Sequence, residues 1–308
     1  MGQDFNPAIL RLNGTLMDVA LFYSEAAGDG VGFAELRRAV TGAGHKLVHV
    51  VERHDGAESL LDVPADLVVA AGGDGTVGAA ARALAGRGVP LGVMPLGTAN
   101  NVARSLGIEG GPDEVAATWR TARRRPLDLG RIRLPDGEAR FLEAVGGGLI
   151  AAGIAAHESR PGADAAPVHR KIPDALRAYR DALQSLQPCR CRVSLDGDVR
   201  FEPLLLVEVL NIRFVGPRLE LSSDVDWSDG RLSVVTATPA ERDALREYLH
   251  TREAEHPGSA GLTARNAREV TIQGWDRLHV DDHIVDIDPD TPVALSLEAG
   301  ALDVLTPA

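Results

Sequence analysis

The sequence predicts an α/β domain built on a mostly parallel sheet, followed by a β-rich domain. Three observations carry this expectation. Two short apolar runs, Leu67–Ala71 and Val89–Met94, each pass into a small polar loop and then into a helix-forming segment. Such runs fit strands covered on both faces, as parallel strands between helix layers are. After Pro126 the texture changes to short strand-like segments with Asp-Gly turns at Asp136-Gly137 and Asp196-Gly197. A chain of 308 residues has room for two cores. We expect residues 1–125 to form the first domain and 126–308 the second, and leave open a return of the C-terminal segment to the interdomain cleft.

In chain order, Met17–Tyr23 reads as the first strand, Phe33–Thr41 as the first helix and Lys46–Val51 as the second strand. The run Leu67–Ala71 leads into Gly72-Gly73-Asp74-Gly75-Thr76 and a helix over Val77–Ala85, with Thr76 near its start. Strand, glycine turn and helix together place backbone N–H groups around an anion. Gly72, Gly73 and Gly75 can take positive φ and let a ligand approach the backbone closely. A carboxylate repels phosphate, so Asp74 suits a magnesium ion or a ribose hydroxyl beside it. Alone, the pentapeptide reads equally as a βα turn with a capping Asp or Thr. The second run repeats the arrangement, ending in Pro95-Leu96-Gly97-Thr98-Ala99-Asn100-Asn101-Val102-Ala103-Arg104. Two such loops can sit side by side at the C-terminal edge of a sheet, where open α/β folds bind ligands.

GGDGT followed by PLGTANN-x-AR resembles the catalytic-domain signature of the diacylglycerol kinase family, with its bacterial lipid kinases and sphingosine-kinase relatives. The resemblance implies a phosphofructokinase/NAD-kinase-like nucleotide domain and a β-sandwich-like substrate domain. It implies that Gly72, Gly73, Asp74, Gly75, Thr76, Gly97, Thr98 and Asn100 bind ATP, with Asp74 serving a catalytic Mg2+. The chain departs from the family at several places. Phe22-Tyr23-Ser24-Glu25 stands where Asn-Pro is usual, and the region of Val51 and Glu52 lacks a nucleotide-contacting Thr. Gly78-Ala79 replaces Asn-Glu or Gly-Glu, and Ala151 replaces an Asp after the glycine run Gly146-Gly147-Gly148.

Pro112–Arg124 reads as a helix whose end carries Arg120, Arg123, Arg124 and Arg125. These are cations at a helix C-terminus, or an anionic-lipid patch. Strands are expected at Arg131–Leu134 and Phe141–Val145, and a loop at Ser159–Ala166. Pro173–Leu186 reads as a helix with Leu176, Tyr179, Leu183 and Leu186 on one stripe, facing the core or forming a lipid-facing lid. Cys189–Leu195 is a strand, and Phe201–Asn211 reads as one long strand. In the loop Ser222–Leu232, the resemblance implies that Asp229 binds a structural magnesium with the carbonyls of Asp226 and Arg231. Without the resemblance the loop is a solvated Asp-Gly turn. Thr238 caps a helix to Arg252 with Pro239 at its first position, and Glu253–Arg265 is a polar linker. The tail holds strands at Glu269–Ile272, Arg277–Val280, Ile284–Ile287 and Val293–Leu297, and its closing Gly300–Leu305 resembles the family's terminal strand.

The acceptor hydroxyl must lose a proton during phosphoryl transfer. In the family the general base lies in an Asp-Gly-Glu turn near the C-terminus. Here that place reads Asp281-Asp282-His283, so the resemblance implies Asp281 or His283 as the base. Histidine can accept a proton near neutral pH. Read alone, the three residues are a polar hairpin turn.

The formal net charge of -12 argues against nucleic-acid binding and limits membrane contact to local patches. No apolar run approaches the roughly 20 residues of a membrane span. Met1–Thr15 has no basic start and apolar core of a secretory signal and reads as a loose arm. Cys189 and Cys191 share one face of a strand and read as reduced thiols. The expected protein is a cytoplasmic, ATP- and Mg2+-dependent kinase, peripheral to the membrane that holds its lipid substrate, with a homodimer left open. The rivals are a non-catalytic nucleotide- or lipid-binding relative and a kinase of a soluble acceptor such as NAD.

Overall fold

The computed structural model describes residues 16–25, 31–160, 167–252 and 258–308. The expected arm Met1–Thr15, residues 161–166 of the expected loop and residues 253–257 of the expected linker lie outside the described residues. The chain divides into two units. One holds the chain through Gly97, Leu106–Leu127 and Gly300–Ala308; the other holds Thr98–Ser105 and Asp128–Ala299.

The first unit is built on four parallel strands, β1 (Asp18–Tyr23), β2 (Lys46–Glu52), β3 (Leu67–Gly72) and β4 (Leu91–Pro95), in the order β2-β1-β3-β4. Beyond β4 the end of the last strand, Val293–Thr306, joins in parallel, with Val304 beside Leu91. The apolar runs of β1 and β3 are buried along nearly their whole length, as expected of strands covered on both faces. Helix α1 (Phe33–Gly42) buries Leu36, Ala39 and Val40, and α2 (Asp74–Leu84) buries Val77, Ala80, Ala81 and Leu84.

Two expectations change here. Helix α2 begins at Asp74 rather than Val77, with Gly73 as its N-cap. An acid in the first turn is favoured by the helix dipole, so the last three residues of the glycine motif are helical. The helix expected over Pro112–Arg124 ends at Thr118, and Arg123–Leu134 is a strand. The Thr118 and Thr121 hydroxyls donate back to the carbonyls of Val115 and Thr118, which competes with helix continuation. Arg123, Arg124 and Arg125 are therefore not cations of a helix terminus. Arg124 instead pairs with Asp303 at 2.6 Å and donates to the Gly88 carbonyl.

The second unit is antiparallel. After β5 (Arg123–Leu134) come β6 (Gly137–Phe141), β7 (Ala144–Gly148), β8 (Cys189–Leu195), β9 (Asp198–Leu204) and β10 (Leu206–Leu210). Short β11 (Phe214–Val215) and β12 (Leu219–Glu220) pair with each other. Then follow β13 (Leu232–Ala237), β14 (Ala264–Ala267), β15 (Glu269–Gln273), β16 (Arg277–Val280), β17 (His283–Asp286) and β18 (Val293–Thr306). One sheet runs β14-β13-β10-β7-β16-β17; the other, within this unit, runs β18-β15-β8-β9. Val145, Val207, Val209, Val234 and Leu278 of the first sheet share a core with Val193, Val270, Ile272 and Leu295 of the second, the mark of a sandwich. The other face of the six-stranded sheet is covered by helices Leu149–Glu158, Val168–Ser185 and Arg242–Thr251. Leu176, Tyr179 and Leu183 pack into that second core, so the helical stripe is core packing.

The segment expected as one strand over Phe201–Asn211 breaks at Leu205, and its halves join different sheets. Leu205 N–H donates to Ala237 O while its carbonyl accepts from Leu149 N, and Pro203 removes a donor from the edge strand. Phe141–Val145 likewise splits between β6 and β7, because the N–H groups of Leu142 and Glu143 turn to the Asp281 carboxylate. The two tail segments Val293–Leu297 and Gly300–Leu305 are one continuous strand. Among the described residues no helix is long and apolar enough to cross a membrane.

Candidate functional site

In the first unit the C-terminal edge of the sheet gathers the glycine motif and the start of the second loop. Gly72 ends β3 fully buried, and a Cβ there would lie 2.5 Å from Thr76 Oγ1. A Cβ on Gly73 would lie 3.2 Å from Gly97 Cα, and Leu96 N donates to Gly72 O at 2.9 Å. The two loops therefore meet backbone to backbone at Gly73 and Gly97. The N–H groups of Thr76 and Val77 close onto Gly73 O, setting the first turn of α2. None of the three uses the freedom of positive φ: Gly72 is in a strand, Gly73 has φ -84°, and Gly75 is helical. Gly72 and Gly73 are required by close packing, not by left-handed backbone. The resulting feature is the N-terminus of an 11-residue helix with Asp74 in its first turn. Where the resemblance led one to expect Asn-Pro and Thr, the Tyr23 hydroxyl donates to Glu52 Oε1 at 2.8 Å. Burial and the Glu52 carboxylate push the Tyr23 hydroxyl up to about 12, so it remains a donor.

From Thr98 the second loop belongs to the other unit. Arg218 holds it, donating from Nη2 to Thr98 O at 2.5 Å and from Nε to Ala99 O at 3.2 Å. Asn100 has φ +53°, a left-handed conformation that Asn tolerates better than most residues. Asn101 is 3% exposed; its Nδ2 donates to Glu143 Oε2 (3.0 Å) and Gly216 O (2.9 Å). Two acceptors around one atom fix the amide's orientation.

Asp281 also has left-handed backbone, φ +52°. Its Oδ1 accepts from Leu142 N (3.0 Å) and Glu143 N (2.7 Å), and its own N–H donates to Ala144 O. Its carboxylate is therefore occupied with backbone. Two residues on, the His283 side chain is 76% exposed, with Nε2 3.4 Å from the exposed Asp282 Oδ1. Glu143 links the second loop to this turn, since its side chain takes Asn101 and its N–H serves Asp281. Beneath the turn, His279 and Glu208 are fully buried and bonded to each other.

The acidic loop is closed on itself. Asp226 Oδ1 accepts from Ser228 N and Oγ, Asp229 Oδ1 accepts from Arg231 N, and Asp128 Oδ2 accepts from Gly230 N. Burial pushes the Asp229 carboxyl above its ordinary value. Among the described residues no three His, Cys, Asp or Glu side chains form a metal-ligating group.

Sequence reasoning passed over Asn101, Glu143, Glu208, Arg218 and His279 as site residues. Two left a signal. Glu208 is a charge inside the apolar run Leu206–Leu210, and His279 lies in the strand between Leu278 and Val280.

The family model of the diacylglycerol kinase catalytic domain matches residues 18–132, and that of the YegS C-terminal NAD kinase beta sandwich-like domain matches residues 148–306. A diacylglycerol kinase of Mycobacterium tuberculosis (strain CDC 1551 / Oshkosh) is 30% identical over 242 residues, covering 73% of this chain and 74% of that one. The crystal structure of a diacylglycerol kinase from Bacillus anthracis str. Sterne superposes with a TM-score of 0.70 at 19% identity, covering 95% of this chain and 98% of that one. Yeast NADH kinase complexed with NADH shares the fold at a TM-score of 0.52 and 10% identity, over 96% of this chain and 84% of that one. The expected pairing of a NAD-kinase-like α/β domain with a β-sandwich-like domain thus matches both the topology and its neighbours. With family models on both halves and a relative at this identity over most of its length, the chain belongs to the diacylglycerol kinase family and is a lipid-kinase-like protein.

Proposed function

We propose that this protein transfers the γ-phosphoryl group of ATP to a hydroxyl of diacylglycerol or a related lipid, with His283 as the general base. The observation that carries the base assignment is the division of labour in one turn. The Asp281 carboxylate accepts two backbone N–H groups, whereas the imidazole of His283 stands open to solvent. In this reading Gly72, Gly73, Asp74, Gly75, Thr76 and Gly97 hold the nucleotide, with Thr98 and Asn100 as further candidates from the second loop. The N-terminal turn of α2 supplies N–H groups and dipole to phosphate. The β-rich domain presents the acceptor at a membrane surface on the cytoplasmic side. His283 takes the proton of the lipid hydroxyl as its oxygen bonds to the γ-phosphorus, and ADP leaves.

Magnesium bound with the nucleotide would neutralise phosphate charge during the transfer. Such an ion is commonly held by one or two carboxylates plus the phosphates rather than by an all-protein cage. That fits a single carboxylate, Asp74, in the first turn of α2. A second, structural cation at Asp226, Asp229 and Arg231 would need carbonyl and water ligands. If it binds there, a chelator should lower the melting temperature of the wild type and leave Asp229→Ala unmoved.

The test is incubation with labelled ATP and a lipid extract, against a panel of soluble acceptors that includes NAD. His283→Ala should lose roughly 10²–10⁴-fold in kcat with ATP affinity retained, and His283→Glu should keep or raise activity. Labelling of a soluble acceptor alone would assign another substrate. Labelling of nothing by the wild type would make the protein a binding relative.

A further inference from the structure

The six-stranded sheet sets Gly146 of β7 directly between Glu208 of β10 and His279 of β16. Each of the two is the register partner of Gly146, on opposite sides. They are thus two strands apart, roughly 9.5 Å across the sheet. Their side chains nevertheless meet over the glycine: His279 Nε2 lies 2.8 Å from Glu208 Oε1 and 2.9 Å from Oε2. A Cβ on Gly146 would fall 2.0 Å from Glu208 Oε1 and 2.4 Å from the Val207 carbonyl, so no larger residue fits beneath the bridge. Both bridge residues are 0% exposed.

The other ring nitrogen points to the site. His279 Nδ1 is 2.8 Å from the Asp281 carbonyl oxygen, which only accepts, so Nδ1 carries a proton. Asp281 is then held at three places: its N–H by Ala144 O, its carboxylate by Leu142 and Glu143, and its carbonyl by His279. A buried pair of this kind gives little net stability compared with apolar residues of the same volume. Its geometric consequence is to fix a left-handed residue two positions before the exposed imidazole.

We propose that Glu208 and His279 are positioning residues for the phosphoryl transfer, which through the Asp281 carbonyl fix the turn that presents His283. The inference rests on the reading of His283 as the base. The glycine at 146 serves this bridge.

The test uses the full-length protein and three variants: His279→Leu, His279→Asn and the double variant Glu208→Leu/His279→Leu. The double variant removes the pair without leaving a buried charge, so it remains informative if His279→Leu fails to fold. Asn can place an amide donor near the position of Nδ1. Two readouts are taken below the melting transition: kcat with the KM for ATP, and amide hydrogen exchange. The double variant should lose about 10²-fold in kcat at unchanged KM for ATP, the scale of a misplaced catalytic group. Exchange should quicken at Leu142, Glu143 and Asp281 while β10 and β13 stay protected. His279→Asn should recover part of both effects. Unchanged exchange at those three amides overturns the proposal, as does a loosened turn with unchanged kcat. If the wild type phosphorylates nothing, the kinase reading fails, and the exchange measurement decides the holding of the turn separately.

Discussion

Replacing Asp281 separates a structural carboxylate from a catalytic one, and the expected cost can be built from its bonds. Oδ1 takes the two shorter bonds, from Leu142 N at 3.0 Å and Glu143 N at 2.7 Å; Oδ2 takes only a 3.2 Å contact from Leu142 N. In Asp281→Asn the remaining oxygen can keep both shorter bonds. The amide nitrogen then faces one N–H, and the charge is lost. That costs about 1–4 kcal/mol, since each of the two bonds falls from about 1.5–3 kcal/mol with a charged acceptor to about 1 with a neutral one. Asn also tolerates the φ of +52°. Asp281→Ala orphans both N–H groups and adds about 1–2 kcal/mol for left-handed backbone. With partial access of water to the turn, about 3–5 kcal/mol is expected in total. Urea unfolding read by linear extrapolation gives both numbers. Activity of Asp281→Asn should stay within about tenfold of wild type, because the turn and His283 persist. A loss of 10² or more in kcat for Asp281→Asn with no change in urea midpoint would refute this reasoning and make Asp281 the base.

Four further outcomes are expected. Burial opposes the charge on His279, but the Glu208 carboxylate and hydrogen bonds outweigh it and raise its pKa; burial also raises that of Glu208. The folded pair therefore keeps one more proton than the unfolded chain above the ordinary histidine value of 6.5. Its contribution to stability should fall by about 1.4 kcal/mol per pH unit from there up to the folded pKa, and this slope should vanish in the double Leu variant, as urea titrations at pH 6.5–9 can check. Gly73→Ala should weaken ATP binding, by calorimetry with magnesium present, because its Cβ would press on the Gly97 backbone at 3.2 Å; Gly72→Ala should chiefly lower stability by roughly 1–3 kcal/mol, since it meets the buried Thr76. Gly153→Ala should destabilise by a similar roughly 1–3 kcal/mol in urea, because its Cβ would lie 2.5 Å from the Tyr179 ring between two packed helices.

What could be read from the sequence follows the range of the interactions. The β3–loop–α2 unit is local: Leu67–Ala71 is apolar enough to be buried on both faces, and the residues after it can only turn. The cap at Thr238 was legible for the same reason, but it closes with Glu241 on a 3-10 turn over Pro239–Glu241, and the α-helix itself begins only at Arg242. The misread elements are those decided by distant partners. Nothing in Phe201–Asn211 itself announces that Leu205 N–H bonds to Ala237, which is what divides the strand between two sheets. Nothing in the arginines after Thr121 reveals that Asp303 pairs with Arg124, across 179 positions.

The candidate site shows the same division. Its glycines stand out from their spacing, whereas the packing around them does not. A positive φ is a property of one residue and is easily guessed, whereas the approach of Gly73 to Gly97 depends on two strands being neighbours. The run Gly146-Gly147-Gly148 is the stronger case. As a string it suggests flexibility, but in the sheet the first two glycines lie under different loads: Gly146 beneath the Glu208–His279 bridge and Gly147, on the opposite face, against Trp275 with 2.8 Å for a Cβ. These demands come from Glu208 of β10, His279 of β16 and Trp275 before β16, which lie 62 to 133 positions away and are assembled only when the order β10-β7-β16 forms. A buried histidine in a strand reads as an ordinary core residue until its register partner is known to be a glycine with a glutamate beyond it. The turn motif was therefore visible in the sequence, whereas the bridge that holds it was set by the strand order.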